Sequence, residues 1–300
     1  NSPTDPLPSN LTAVGNTLFF TADDGTNGIE LWKSNGTPAG TVLVKDIFPG
    51  AGNSSAPSNL VAFGGKLYFA ANNGTNGIEL WSSDGTAAGT TLVKDIFLGT
   101  NGSSPANLTV VGNTLYFTAN NGANGIELWK SDGTTNGTVL VKDINSFGDA
   151  LPYSFTAINN TLYFFANNGL TGIGLWKSDG TSAGTVQVRD VSFVVDEDPG
   201  NLIAVGNRLF FTAVASTTVG RELWTSDGTT AGTVQVKDIN PTPDFGSGIA
   251  NLTSFNGLLY FTASDGTGSR LWKSDGTTAG TVLVSNTPAS PNRLAVVGST

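Results

Sequence analysis

Carboxylates are the residues of this chain that could do chemistry, because the sequence contains no histidine and no cysteine. The usual nucleophile–base pairs of hydrolases are therefore missing from it. One acidic cluster, Asp196, Glu197 and Asp198, follows the apolar segment 193–195, and paired carboxylates can hydrolyse a glycosidic bond. Residues that are adjacent in sequence need not face one another, so we interpret the cluster as a solvated loop.

A second acidic pair, Asp23 and Asp24, lies in the segment Asp-Asp-Gly-Thr-Asn-Gly. Such a segment is typical of a calcium loop, since Ca²⁺ prefers several oxygen ligands. The equivalent segments at 72–74, 120–122 and 167–169 read Asn-Asn-Gly and carry no carboxylate. Ordinary turn chemistry explains all of them. We expect no cofactor or metal, with Ca²⁺ at Asp23 and Asp24 as the weak alternative.

A repeat of 47 to 49 residues positions these groups, and tryptophan marks it most clearly. Self-similarity at this period is typical of propellers and related arrays. The repeats begin near residues 11, 60, 108, 155, 202 and 252 and fill residues 1–300, which we interpret as one domain. The six tryptophans are Trp32, Trp81, Trp129, Trp176, Trp224 and Trp272.

Each repeat contains four apolar stretches of strand length separated by turn signals. In the first repeat they are 11–15, 17–22, 29–34 and 41–47. A pair of Gly or Asn residues separates the first two stretches in every copy, as a two-residue hairpin requires. Four antiparallel strands repeated radially describe a blade, so the sequence predicts an all-β, six-bladed propeller, with a solenoid as the alternative.

The segment Leu294–Gly298 copies Leu11–Gly15. It predicts one additional innermost strand, which either closes the ring or begins a longer array. The first residues, Asn1-Ser2-Pro3, suggest a processed protein or an excised fragment.

The recurring Glu-Leu-Trp and Asp-Gly-Thr segments resemble the bacterial repeat family named for the pattern ELWxxDGT. The resemblance covers essentially all of the chain, although Asn35 replaces one aspartate and Gly174 and Arg270 replace two glutamates. It implies a part of a large secreted or surface-associated protein and no fixed biochemical activity.

Strand alternation places Glu30 and Trp32 on one face of their strand. We expect the tryptophans to pack between sheets, and the glutamates to accept hydrogen bonds from a neighbouring loop. The aspartate of each Asp-Gly-Thr segment is expected to cap backbone N–H groups in an Asx turn.

Composition limits the classes of partner that this chain is expected to bind. A formal charge of −9 is unfavourable for phosphate backbones and anionic lipids, and no apolar run is long enough to cross a bilayer. We therefore expect neither nucleic acid binding nor membrane insertion. The absence of Cys and Met, with abundant Thr, Ser, Asn and Gly, favours an extracellular or cell-surface location.

Variation among the copies concentrates on the long connections between repeats, where a partner surface is expected. We predict that this surface uses aromatic residues placed in loops, together with the acidic cluster. Its members are Phe147, Tyr153, Phe193, Asp196, Glu197 and Asp198.

These observations together favour a non-catalytic structural or adhesive module that contacts a protein or a surface polysaccharide, or assembles with itself. A multivalent glycan-binding propeller is the alternative, and a glycosidase-like enzyme is a less favoured one. The lectin hypothesis requires conserved ligand residues in several copies, whereas the glutamate varies.

Overall fold

The computed structural model describes residues 7–50, 52–191, 198–216, 219–242, 245–284 and 294–296. These residues form six four-stranded antiparallel sheets, and none of them is helical. The predicted fold class, an all-β six-bladed propeller, is confirmed. The chain divides into two compact units of three sheets each, Asn1–Leu151 and Pro152–Thr300, and the single domain stays a prediction.

The first unit contains three sheets whose strands pair in chain order. They are β1 (Ser9–Val14), β2 (Thr17–Asp23), β3 (Ile29–Ser34) and β4 (Val42–Lys45); β5 (Ser58–Phe63), β6 (Lys66–Asn72), β7 (Ile78–Ser83) and β8 (Thr91–Lys94); and β9 (Ala106–Val111), β10 (Thr114–Asn120), β11 (Ile126–Ser131) and β12 (Val139–Lys142).

The second unit repeats this arrangement three times. Its strands are β13 (Tyr153–Ile158), β14 (Thr161–Asn167), β15 (Ile173–Ser178) and β16 (Val186–Asp190); β17 (Gly200–Val205), β18 (Arg208–Ser216), β19 (Val219–Ser226) and β20 (Val234–Lys237); and β21 (Ala250–Phe255), β22 (Leu258–Ser264), β23 (Ser269–Ser274) and β24 (Val282–Leu283).

The hairpin between the first two strands of each sheet has the predicted turn. In all six copies its first residue is Gly or Asn with a φ between 49° and 59°, a conformation that these two residues tolerate best. The first strand then carries a bulge, as between Ser9 and Thr12, where Asn10 has a φ of 54°. The second and third strands pair without interruption, with Phe20 opposite Trp32.

The core lies between successive sheets within each unit. In the first unit, Phe19 and Leu31 of one sheet pack against Phe69 and Trp81 of the next. The equivalent residues of the following pair of sheets form a second cluster around Trp129. Two similar clusters in the second unit contain Trp224 and Trp272. A sheet that lies between two others therefore needs apolar side chains on both faces, which explains its strongly apolar second strand.

Strand order within a unit places the first strands side by side. β1 is adjacent to β5 and β5 to β9, and in the second unit β13 is adjacent to β17 and β17 to β21. The additional strand predicted at 294–298 does not form where it is described, because residues 294–296 belong to no strand. No helix of the described chain is long and apolar enough to cross a membrane.

Candidate functional site

The glutamates of the Glu-Leu-Trp segments are fully buried, and they bind the connection that leads to the next sheet. Glu79 Oε1 accepts the N–H groups of Phe97 at 3.1 Å and Ser103 at 2.8 Å. Its Oε2 accepts the Ile96 N–H at 3.1 Å and the Ser103 hydroxyl at 2.5 Å. This confirms the predicted role of the glutamate. A carboxylate with four donors fixes the start and the middle of one connection together.

Three further glutamates make the same type of contact. Glu30 binds the backbone N–H groups of Ile47 and Ser55, Glu127 binds that of Ile144, and Glu222 binds that of Ile239. Burial raises the pKa of Glu127 and of Glu222 to about 7, because desolvation outweighs the donated hydrogen bonds. Burial also raises the pKa values of Glu30 and Glu79.

Two copies fill the place of the glutamate differently. At Gly174 an added Cβ would lie 2.3 Å from Gln187 Nε2, so the Gln187 side chain occupies that space. Gln187 in turn accepts a hydrogen bond from Asn168 Nδ2 at 3.0 Å. At the second position Arg270 forms an ion pair with Asp265. Both substitutions keep a polar contact without a buried carboxylate.

The aspartates of the Asp-Gly-Thr segments cap their own turns, as predicted. Asp84 Oδ1 accepts the Thr86 N–H at 2.8 Å and the Thr86 hydroxyl at 2.7 Å. These bonds, the side-chain bond first, lower the pKa of Asp84. Asp132, Asp179, Asp227 and Asp275 make the same two contacts. The carboxylates therefore serve the backbone of their own loops.

The glycines after Asp132 and Asp227 are required by their surroundings as well as by their backbone. Gly133 has a φ of 93°, and a Cβ there would lie 2.3 Å from the Tyr68 hydroxyl oxygen. The Asp-Gly-Thr turn of one sheet thus packs against an aromatic residue of the preceding sheet.

Asp23 and Asp24 also bind their own loop. Asp23 Oδ1 accepts the Gly25 N–H at 2.7 Å, and Asp24 accepts the N–H groups of Thr26 and Asn27. In the described part of the chain no group of three potential metal-ligating residues comes together. The absence of a metal stays a prediction, and the loop geometry is that of an Asx turn.

The predicted partner surface stays a prediction, and the structure describes the positions of three of its six residues. Phe147 is 77% exposed on a connection, as expected, and Asp198 is exposed. The placement of Tyr153 in a loop is wrong, because this residue begins β13 and is half-buried. Phe193, Asp196 and Glu197 lie outside the described residues.

Tyr153 has a structural partner that explains its position. Its hydroxyl donates to the Pro199 carbonyl oxygen at 3.0 Å, and burial raises its pKa. The hydroxyl of Tyr153 therefore binds the segment that leads into the next sheet.

Sequence analysis missed the role of the cations in three of the fourth strands, Lys45, Arg189 and Lys237. Lys45 Nζ donates to the Thr90 carbonyl of the next sheet at 2.8 Å and lies 5.9 Å from the ring centroid of Trp81. Arg189 lies 5.9 Å from the Trp224 ring and Lys237 lies 5.7 Å from the Trp272 ring. The repetition of Val-Lys-Asp or Val-Arg-Asp was the signal that could have revealed these cation–π contacts.

The structure resembles solved structures of puromycin-hydrolysing enzymes. A puromycin hydrolase mutant complexed with PGG superposes with a TM-score of 0.53 at 12% identity, over 96% of this chain and 46% of that chain. A second puromycin hydrolase gives 0.51 at 14% identity, over 95% of this chain and 47% of the other. A puromycin-hydrolysing peptidase of Mycobacterium tuberculosis gives 0.50 at 11%, over 93% and 46%.

This chain thus spans about half the length of the solved chains that it matches. Identities this low show the shared fold alone. No family model matches the sequence, and no curated protein matches it.

These similarities correct the function predicted from the sequence. The three solved structures reported above are two puromycin hydrolases and a puromycin-hydrolysing peptidase. The prediction of a structural or adhesive module is therefore wrong, and its glycan-binding alternative is not carried forward. The exposure of two aromatic residues agrees with their predicted positions. Phe147 lies on the surface, and Trp129 lies in the core.

Proposed function

We propose that this chain is the propeller part of a peptidase-type hydrolase, and that it holds or admits substrate without cleaving it. The observation that supports this is the extent of the superposition. Between 93% and 96% of the chain matches 46% to 47% of three puromycin-hydrolysing enzymes. The chain corresponds to one substantial part of such enzymes, and we assign the bond cleavage to another part.

The residues of this chain favour the assignment of bond cleavage to another part of the enzyme. Without histidine or cysteine it offers no Ser–His or Cys–His pair. Its buried carboxylates, such as Glu79, are saturated by donors from the connections. Its exposed turn carboxylates, such as Asp84, bind their own backbone. Neither of these two sets of carboxylates is free to act as the acid or base of a hydrolysis.

We further propose that the connections between sheets contact the catalytic part. Within the first unit, Leu98 and Phe147 are 79% and 77% exposed on two of these connections. Aromatic side chains such as Phe147 are enriched at protein interfaces. The opposite end of each sheet carries the hairpin turns and the Asp-Gly-Thr turns, whose side chains are occupied. The extracellular location and the resemblance to the ELWxxDGT family stay predictions.

The experiment compares the isolated chain with the natural polypeptide that contains it. An antibody raised against the 300-residue chain captures that polypeptide from its source, and hydrolysis of puromycin and of aminoacyl p-nitroanilides is measured on both. We expect turnover by the captured polypeptide and none by the isolated chain. Capture with pre-immune serum is the control. An inert natural polypeptide, or equal turnover by the isolated chain, would refute the proposal.

The contact surface is tested separately in the natural polypeptide. Leu98→Ser with Phe147→Ser should weaken the coupling between the parts, seen as separate thermal transitions or a lower kcat/KM. Val42→Ser is the matched control, since Val42 is 39% exposed at the start of β4, away from the connections. Equal effects of both changes would show that the connections have no special role.

A further inference from the structure

The turn of the first repeat has Asn35 where the other five turns have aspartate, so that an amide NH₂ group replaces one carboxylate oxygen. Asn35 Oδ1 accepts the Thr37 N–H at 3.1 Å and the Thr37 hydroxyl at 2.7 Å. The Thr37 hydroxyl oxygen accepts the Gly40 N–H at 3.0 Å. Asp84 makes the same set of contacts in the next sheet. The Asn35 amide and the Asp84 carboxylate therefore make the same contacts in their turns.

Packing around the side chain is also shared. A Cβ added to Gly40 would lie 1.9 Å from Asn35 Oδ1, and a Cβ added to Gly89 would lie 2.1 Å from Asp84 Oδ1. In both turns the planar end of the side chain therefore lies directly on the Cα of a glycine. Replacing the amide nitrogen by oxygen changes neither the shape nor the accepted hydrogen bonds.

The amide of Asn35 is followed by the backbone nitrogen with which it can react, and this Gly36 N–H donates to Ser34 Oγ at 3.1 Å. The next residue is Gly36, which has no Cβ to hinder attack by its nitrogen, and both residues are exposed. Two donors from Thr37 polarise the side-chain carbonyl and would stabilise a developing oxyanion, as donors do in acyl transfer. In the described part of the chain Nδ2 donates to no partner, so it is accessible to water.

We propose that Asn35 is a site of spontaneous deamidation that converts the first turn into the Asp-Gly-Thr form of the other five. The Gly36 nitrogen forms a bond to Asn35 Cγ and loses its proton, while the Cγ–Nδ2 bond breaks and ammonia leaves. Water then opens the resulting succinimide at either carbonyl, which yields aspartate or isoaspartate. The chain gains one negative charge.

The fold favours aspartate over isoaspartate as the product. Aspartate retains Oδ1 as the acceptor for Thr37, whereas isoaspartate routes the main chain through the side-chain carbon and removes that acceptor from the turn. Both products can lose water and re-form the succinimide, but only aspartate is then stabilised by the contacts of the native turn. Native protein should therefore contain a higher ratio of aspartate to isoaspartate than unfolded protein.

Two other Asn-Gly pairs serve as internal comparators. Asn73 Oδ1 and Asn121 Oδ1 each accept two backbone N–H groups, as in Asn73 with Thr75 and Asn76. Their Nδ2 groups, however, donate to side-chain oxygens at 2.9 Å. With both ends of the amide held, the side chain cannot turn toward the glycine nitrogen, and deamidation should be slower than at Asn35.

The test is peptide mapping by mass spectrometry of native protein incubated in mildly alkaline buffer, with fragmentation that separates aspartate from isoaspartate. We expect conversion at Asn35 several-fold faster than at Asn73 and Asn121, with aspartate enriched relative to a denatured sample. The Asn35→Asp variant is the reference for the product and should fold with an unchanged circular dichroism spectrum. Conversion at Asn35 no faster than at the comparators, or an Asn35→Asp variant that fails to fold, would overturn the proposal.

Discussion

The hydroxyl of Tyr153 and the carbonyl oxygen of Pro199 are 3.0 Å apart, and this contact replaces one that asparagine makes elsewhere. In the first unit Asn10 Nδ2 donates to the Pro57 carbonyl and Asn59 Nδ2 to the Pro105 carbonyl, both at 3.3 Å. The fourth repeat has serine at the asparagine position, and the preceding tyrosine supplies the donor. An irregularity in the repeat thus preserves a bond between sheets.

Removing that donor should destabilise the second unit. Tyr153→Phe leaves the buried Pro199 carbonyl without its bond, so we expect the free energy of unfolding to fall by about 1–3 kcal/mol. Urea denaturation followed by fluorescence measures the loss. Phe147→Ser, a change at an exposed residue, is the control and should shift the midpoint little. A Tyr153→Phe variant as stable as the parent would mean that the contact contributes nothing.

The buried tryptophans should behave as core residues. Trp129 is 6% exposed and packs among Leu115, Phe117 and Val93. We expect Trp129→Ala to cost about 3–5 kcal/mol in the free energy of unfolding, as for other large core truncations. Trp32 is only half-buried, so Trp32→Ala should cost less. Chemical denaturation of the two variants side by side decides this, and equal losses would contradict the assigned burial.

Stability should depend on pH through the buried glutamates. Burial raises the pKa values of Glu127 and Glu222 from 4.5 to about 7, and the neighbouring Asp143 and Asp238 add to the effect. The folded protein therefore holds these protons more tightly than the unfolded chain does. The resulting stabilisation is complete below the unfolded pKa and is lost as the pH rises through the folded pKa.

We accordingly expect Tm to fall as the pH rises from 4.5 to 7. The double variant Glu127→Gln, Glu222→Gln should show a flatter curve over this window, since neither amide titrates. Calorimetry across the pH range measures both curves. Parallel curves for the parent and the double variant would show that other groups control the pH dependence.

Local patterns in the sequence were sufficient to predict the sheets. Gly and Asn pairs determine the hairpins, and apolar residues on both faces of the second strand require a neighbouring sheet on each side. The partners of the conserved polar groups are more distant. Glu79 binds Ser103, 24 residues later in the chain, and only an alignment of the repeats shows that Ser55 and Ser247 occupy equivalent places.

The misassignment of Tyr153 has a physical cause. Sequence comparison among repeats detects a missing asparagine but not the hydroxyl that replaces it, because the two donors come from adjacent residues. Its acceptor, Pro199, lies 46 residues away and is recognisable only once the sheets are packed. Departures from a repeat therefore mark either a free surface or a substituted contact, and exposure distinguishes them.

The turn aspartates should tolerate asparagine but not alanine. Asp132 Oδ1 accepts the N–H and the hydroxyl of Thr134, and Asn35 makes the same contacts with an amide oxygen. We expect Asp132→Asn to leave Tm unchanged and Asp132→Ala to lower it, because alanine offers no acceptor. Differential scanning fluorimetry compares the two variants. A loss of stability in Asp132→Asn would mean that charge, and not the accepted bonds, holds the turn.

Chelators should leave the thermal transition in place. The carboxylates of Asp23 and Asp24 already accept backbone N–H groups of their loop, and Asp24 Oδ2 also accepts from Asn27 Nδ2 at 2.8 Å. A Ca²⁺ ion would have to displace these donors. Metal that bound the folded state would raise Tm by mass action, so Tm is measured with excess EDTA and with added Ca²⁺. Asp24→Asn, which gives this position the residue that the equivalent loops carry, is the control. A fall in Tm with EDTA that is absent in Asp24→Asn would establish a metal at this loop.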